Sequence, residues 1–257
     1  MGFPREFAGC GWLWFDPCNF DSVNTFMLAR REISCRAEIC ITADSRYRLF
    51  VNGTYVCGGP ARGYPRSYPF DRVDIAPFLR KGRNCLAVLA HQFGVGTYQS
   101  VYEGCEGLLV GGRVAGVDVG TKPKAWTVRK CPGHTQDMIR RSLQMGFQEN
   151  FDSRLVEADW QLPGSGIRPG RNGWGEGVIH PLGAAPWFAL KPALLHLDRL
   201  SIRIPAGRGH VALGLERNGG RVSGRLAVPA GVSGAIAAPG ARKRVGPGVH
   251  RFVYREE

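Results

Sequence analysis

Apolar runs rich in Val, Ile, Leu, Phe and Tyr alternate with glycine and proline at spacings of roughly 8–15 residues, the rhythm of antiparallel β structure. The runs predict strands over Thr25–Ile33, Ala37–Ala43, Tyr47–Val51, Tyr55–Cys57, Asn84–Gln92, Gly107–Val114 and Trp126–Arg129. Within Arg46-Tyr47-Arg48-Leu49-Phe50-Val51 polar and apolar positions partly alternate, as in a strand with one solvated face. Asn52-Gly53 follows directly and predicts a two-residue hairpin turn, because both residues tolerate positive φ. Asp74 to Asn84 reads as one helical turn with Asp74 as cap and Gly82 as stop, feeding the strand that begins near Cys85. No long amphipathic pattern with helical period occurs. The fold class is therefore all-β: a jelly-roll-like β-sandwich followed by a small second β-sandwich unit.

The second unit is suggested by Pro181, Pro186 and Pro192 and by a change in composition beyond them. Residues 1–199 are assigned to the first domain and 200–257 to the second, whose strand-like pieces are Ser201–Ile204, His210–Leu215, Arg221–Val228, Gly234–Ala237 and Val249–Tyr254. A unit that small is marginal alone and should pack on its neighbour. Ten basic and three acidic residues lie between Leu200 and Glu257, so more than half of the chain's net charge of +13 sits there.

At 257 residues, 44% hydrophobic and 21% charged, the composition excludes wholesale disorder, a collagen repeat and a coiled coil. Gly177–Leu197, the best apolar stretch, is broken by His180, Pro181, Pro186, Lys191 and Pro192, so no membrane partner is expected. The first residues lack the apolar core of a secretory peptide, and a cytoplasmic location is the default with the true compartment unknown. The eight cysteines contain no CxxC pair, which argues against zinc and favours buried free thiols on strands.

Several segments, taken in order, resemble bacterial α-L-rhamnosidases. Trp12-Leu13-Trp14, the run Asp44 to Gly53, Gly59-Pro60, Asp74-Ile75 with Leu79 and Gly82-Arg83-Asn84, then Trp126-Thr127-Val128 are similar to the N-terminal β-sandwich of that family. Phe147 to Arg154 with Trp160 resembles its E-x-F-D-x-R…W segment, and Pro186 to Pro192 the exit from that region. Gly224 to Gly231 and Val245 to Phe252 are similar to the family's C-terminal β-sandwich. The resemblance implies two ends joined without the α/α barrel that carries the catalytic carboxylates in the family. It therefore implies a non-catalytic carbohydrate-binding or accessory protein. Two alternatives stand beside this: a glycoside hydrolase part acting with a separate catalytic subunit, and a structural β-sandwich protein that self-associates as a homo-oligomer through strand edges.

Hydrolysis of a glycoside needs two carboxyl groups flanking one bond. The densest acidic set, Glu149, Asp152, Glu157 and Asp159, is read as framework, with Glu149 or Asp152 pairing to Arg154 or capping backbone amides. No GxSxG, GxxxxGK[ST] or HExxH motif occurs, and no catalytic or metal residue is assigned, although a Cys/His pair stays open. For sugar binding an exposed aromatic platform suffices, and Tyr64, Tyr68, Tyr98, Tyr102 and Trp174, in Gly/Pro-rich or polar stretches, are the candidates. Trp12, Trp14, Trp126, Trp160 and Trp187 are expected in the core or at a domain junction. No cofactor is expected; the resemblance raises calcium beside rhamnose, but no ligand set can be assigned. The expected partner is carbohydrate, rhamnose-containing or an acidic polysaccharide. Nucleic acid is disfavoured despite a pI near 9.8, because no RRM or helix-turn-helix pattern is present.

Overall fold

The computed structural model describes residues 5–16, 23–33, 38–63, 69–98, 107–114, 117–181, 187–190, 192, 194, 196–206, 209–238 and 241–255. They form twenty strands, three single 3-10 turns and no α-helix. Contacts divide the chain into two compact units that meet in sequence at Gly183 and Ala184.

In the first unit the strands are β1 (Gly11–Trp14), β2 (Thr25–Ile33), β3 (Glu38–Ala43), β4 (Arg46–Val51), β5 (Thr54–Gly59), β6 (Asp71–Asp74), β7 (Asn84–Gln92), β8 (Leu108–Gly111), β9 (Arg113–Val114), β10 (Val117–Asp118), β11 (Thr127–Lys130), β12 (Gly175–Glu176) and β13 (Val178–Pro181). Five of them make a sheet in the order β13-β1-β8-β3-β6, six make another in the order β12-β11-β2-β7-β4-β5, and β9 and β10 form a small hairpin. Leu13, Ile39, Ile41, Leu108 and Val110 from the first sheet pack with Met27, Ala29, Leu49, Leu86 and Val88 from the second in one continuous core, a β-sandwich.

The predicted hairpin forms at Asn52 (φ 51°) and Gly53 (φ 81°), the left-handed pair of a type I′ turn. Asn52 has a second task. Its amide is buried, donating to Phe78 O (3.0 Å) and Asn84 Oδ1 (2.8 Å), while its own Oδ1 accepts from Cys85 N (2.9 Å). Asn84 in turn donates to Arg80 O and Gly82 O and accepts from Arg80 N. Two side chains thus satisfy backbone groups of Phe78, Arg80, Gly82 and Cys85 at once. The helical turn read from sequence is the 3-10 turn Ala76–Phe78, with Asp74 Oδ1 accepting from Ala76 N at 2.9 Å.

In the second unit the strands are β14 (Trp187–Leu190), β15 (Arg199–Ala206), β16 (Gly209–Asn218), β17 (Arg221–Val228), β18 (Ser233–Ala238), β19 (Ala241–Val245) and β20 (Gly248–Arg255). Sheets β14-β18-β19 and β15-β16-β17-β20 enclose Leu213, Leu215, Val222, Leu226, Ile236 and Val245. All strand pairs are antiparallel except β14 with β18.

Candidate functional site

The outer face of the six-stranded sheet decides the geometry of the site. Met27, Ala29, Leu86, Val88, Tyr47 and Leu49 point to the sandwich core, so their neighbours Phe26, Leu28, Arg30, Ala87, Leu89, His91, Arg46 and Arg48 point the other way. Residues 131–174, which contain only one 3-10 turn and an isolated bridge, lie across that face. Trp160, Trp174 and Cys131 close over Phe26, Leu28, Cys85 and Ala87 to form a second apolar core.

Polar anchors fix this cover. Arg30, buried under it, donates to Leu162 O (2.8 Å) and Ile167 O (3.2 Å). Arg129 pairs with both oxygens of Glu157 at 2.7 and 2.8 Å, and Trp174 Nε1 donates to Glu157 at 3.3 Å. Asp152 accepts from Arg154 through backbone and guanidinium. Within the acidic group of the sequence, Asp152 pairs with Arg154 as expected and Glu157 is tied to Arg129 on the sheet, whereas Glu149 pairs with His134 and Arg48.

The cover leaves a gap over β4, β5 and the end of β7, a cleft of about 330 Å³. Its floor is Leu89, His91 and Phe26; its walls are Arg46, Arg48, Tyr55 and, from the cover, Gly146 to Glu149. Asp44 and Ser45 hold the base: Gln92 Nε2 and Ser45 Oγ both donate to Asp44 Oδ2 at 3.0 Å, and Phe93 N donates to Ser45 Oγ at 3.0 Å. The Arg46 guanidinium lies 5.2 Å from the Phe93 ring centroid, and Arg140 sits 5.5 Å from Phe147. Gly59 allows a close approach of chains, since a Cβ there would collide with the Asp71 carboxylate that Tyr47 Oη donates to.

Beneath the cleft, Phe26 is sandwiched between His91 and His134, each stacked with a 3.7 Å centroid separation. Burial pushes His91 down to about 3, and His134, Arg46 and Arg48 push the same way. His91 is thus neutral at ordinary pH, with Nε2 3.0 Å from Asn24 Oδ1. His134 is also lowered by burial, against the opposing pull of Glu149. Glu149 bridges His134 Nε2 (3.2 Å) and Arg48 (3.5 Å), and both Arg48 and Glu149 are half exposed at the rim.

Cys131 Sγ lies 3.3 Å from His134 Nδ1, so thiol, imidazole and carboxylate stand in line, the arrangement left open by the sequence. Cys131 is only 3% exposed, and burial raises its thiol above the ordinary range. Both features set Cys131 apart from the accessible, low-pKa thiols that act as nucleophiles.

Of the five aromatic residues singled out from sequence, Tyr64, Tyr68 and Tyr102 lie outside the described residues. Tyr98 is 81% exposed. Trp174 is 3% exposed with its indole N–H on Glu157, so its ring faces the second apolar core and offers no platform to a ligand. Trp12, Trp14, Trp126 and Trp160 are buried, as expected. Sequence reasoning passed over Arg46, Arg48, Tyr55 and Phe147 as cleft residues. The available signal was the pair of arginines at alternate positions in β4, which a strand places on one face. Among the described residues no group of three or more His, Cys, Asp or Glu could hold a metal ion.

No protein-family model matches the chain, and no curated protein matches it. Among solved structures, a GH78 family rhamnosidase of Bacillus sp. GL1 aligns at 31% identity and TM-score 0.61, over 78% of this chain and 21% of the enzyme. Two weaker likenesses are the α-L-rhamnosidase of Aspergillus terreus (15% identity, TM-score 0.49, 98% of this chain and 34% of that one) and a Pleurotus ostreatus lectin in complex with GalNAc (17%, 0.36, 69% and 42%). With TM-scores below 0.5, these two carry no weight for the function. The chain is a rhamnosidase-related β-sandwich region, spanning about a fifth of the length of the Bacillus enzyme, and its described residues contain no helical barrel.

Proposed function

We propose that this chain is a non-catalytic carbohydrate-binding or accessory region of a rhamnoside-processing system, and that the cleft over β4 and β5 is where it holds a saccharide. The observation that carries this reading is the lining of the cleft: Tyr55 and Phe147 beside Arg46, Arg48, Gln148 and Glu149. Aromatic faces accept the C–H surface of a pyranose, while a few fixed donors and acceptors orient its hydroxyls. The Arg48 and Glu149 pair at the rim is solvent-exposed and weakly coupled, so a sugar hydroxyl can take its place at little cost. The likeness to a rhamnosidase suggests a terminal L-rhamnose as the first ligand to try.

Calorimetric titration with L-rhamnose and rhamnose-terminated oligosaccharides, with and without calcium, tests this directly. The expected result is saturable binding, weakened about tenfold or more by Tyr55→Ala or Arg48→Ala, each of which removes a contact worth roughly 1–3 kcal/mol. Tyr98→Ala belongs in the same series, since its exposed ring is suited to stacking. A chromogenic rhamnoside should remain unhydrolysed; turnover, or no binding by any of these sugars, overturns the reading.

A further inference from the structure

The sheet β15-β16-β17-β20 presents a second, quite different surface. Its register places Arg225 opposite Arg251 and Arg221 opposite Arg255, and all four side chains are exposed. Their neighbours Val222, Leu226 and Tyr254 are buried, so alternation puts the four arginines together on the outward face. Arg199 and Arg203 stand on the same face of β15. Among the described residues the one acid there is Glu216, which Arg199 already holds at 2.5 Å. Between them Ser201, Gly214 and Ser223 have little or no side chain and floor a groove of about 350 Å³.

Like charges directly opposite each other on neighbouring strands destabilise a sheet. Two such arginine pairs in one sheet oppose folding of the free chain and favour its occupied state, if the occupant is an anion. We propose that this face binds a linear acidic polysaccharide, its uronate carboxylates received by the paired guanidinium forks of Arg225 with Arg251 and of Arg221 with Arg255. The inference goes beyond the cleft on the first unit and stands independently of it.

Charge spacing argues for this polyanion over nucleic acid. The two arginine pairs are four residues apart along their strands, roughly 13 Å at the usual rise per residue. A nucleic-acid strand carries a charge about every 3.4 Å and calls for a denser basic track. A single strand also needs aromatic rings on which bases stack, and Phe252 and Tyr254 lie on the opposite, inward side. Uronate carboxylates, one to a sugar ring, lie farther apart than the phosphates of a nucleic-acid strand and match sparse, paired guanidinium groups, and Ser201 and Ser223 offer hydroxyl partners for the ring hydroxyls between.

The test is calorimetric titration of the full chain with polygalacturonate oligomers, the same oligomers after reduction of their carboxyls, a single-stranded oligonucleotide of equal charge, and anionic lipid vesicles. The wild type should bind the polyuronate in a salt-sensitive manner and ignore the reduced form. Arg225→Ser/Arg251→Ser should weaken binding by at least about tenfold, since two charge-assisted contacts are lost. It should melt no lower than the wild type, which separates lost binding from lost folding. Arg80→Ser/Lys81→Ser, equally basic but in the first unit, should change affinity less than about threefold, and rhamnose binding at the cleft should survive the β17/β20 variant. Unchanged polyuronate affinity in Arg225→Ser/Arg251→Ser, absence of polyuronate binding, loss only on Arg46→Ala/Arg48→Ala, equal binding of the reduced oligomer, or tighter binding of the oligonucleotide or the vesicles each overturns the proposal.

Discussion

The six-stranded sheet of the first unit and the four-stranded sheet of the second each turn one face to an apolar core, and they treat the other face in opposite ways. On the six-stranded sheet the outward positions hold Phe26, Leu28, Cys85, Ala87 and Leu89, and residues 131–174 close over most of them. On the four-stranded sheet the outward positions hold Arg203, Arg221, Arg225, Arg251 and Arg255, and they are exposed. A covered face can host a cleft with a shaped floor and a neutral buried histidine. The bare face has only a groove floored by small residues, with charge along its edges. In the two proposals made above, the surfaces take different features of one kind of ligand: individual sugar rings in the first case, the charge of an extended chain in the second.

The largest effect should come from removing the cover's apolar anchors. Trp160→Ala is expected to cost about 3–5 kcal/mol in chemical denaturation, because a large buried ring leaves a cavity against Phe50. A stability close to wild type would mean that the cover is an ornament on the sheet and the contrast with the bare face is superficial.

Acid should discriminate between the two faces next. His91 is held near 3 in the folded state, whereas the unfolded chain protonates it near 6.5. The unfolded state therefore binds the extra proton, and the stabilisation from neutral His91 is full above pH 6.5 and declines as pH falls from there toward 3. Glu32 adds a smaller loss at lower pH. Burial raises its pKa, but hydrogen bonds from Arg83 and Gly164 N outweigh that and hold it below 4.5, so its contribution is lost as pH falls through that range. Denaturation at about pH 7 and about pH 4.5 should show a decline of order 1–3 kcal/mol, largely abolished in His91→Gln. A parallel decline in the variant would place the acid sensitivity elsewhere.

Asn52→Ala should cost about 2–3 kcal/mol, since it strands Cys85 N–H and Phe78 O and places alanine at positive φ. Retention of stability on equilibrium unfolding would show that water replaces the amide. The smallest effect is expected on the bare face, where Arg225→Ser/Arg251→Ser should change stability by less than about 1 kcal/mol, toward stabilisation at low salt. Marked destabilisation there would mean that the arginines hold the sheet together.

The structure was legible in the sequence where local chemistry decides, and illegible where a distant segment does. Thr25–Ile33, Asn84–Gln92 and Arg221–Val228 are strands with the expected bounds, and the Asn52-Gly53 turn has the expected geometry. Their β-branched and aromatic content and turn residues are local signals. β6, with the sequence Asp-Arg-Val-Asp, and β19, with Ala-Arg-Lys-Arg-Val, escaped because an edge strand gains its stability from its neighbour and needs no apolar alternation. Gly107–Val114, expected as one strand, is broken at Gly112, whose φ of 124° interrupts the ladder. Trp174 suggested a loop platform, since its surroundings are polar and glycine-rich; the indole's fate was settled by Glu157, seventeen positions earlier, and by the apolar outer face of β2 and β7. The cleft was invisible for the same reason, as its wall at Gly146 to Glu149 meets strands about a hundred positions upstream.

That separation in sequence sets an order of events during synthesis. β2 and β7, which carry Phe26, Leu28, Cys85 and Ala87, precede residue 131, whereas Arg30 finds its carbonyl partners only at Leu162 and Ile167, 132 and 137 positions later. At the usual elongation rate of about 5–20 residues per second, the 44 residues from 131 to 174 take roughly 2–9 seconds to appear. For that interval Phe26, Leu28, Ala87 and Leu89 form a flat greasy sheet with nothing above it. A nascent chain stalled near residue 130 should accordingly be a strong client for hydrophobe-binding chaperones, and should cease to be one once Trp160 and Trp174 have left the ribosome.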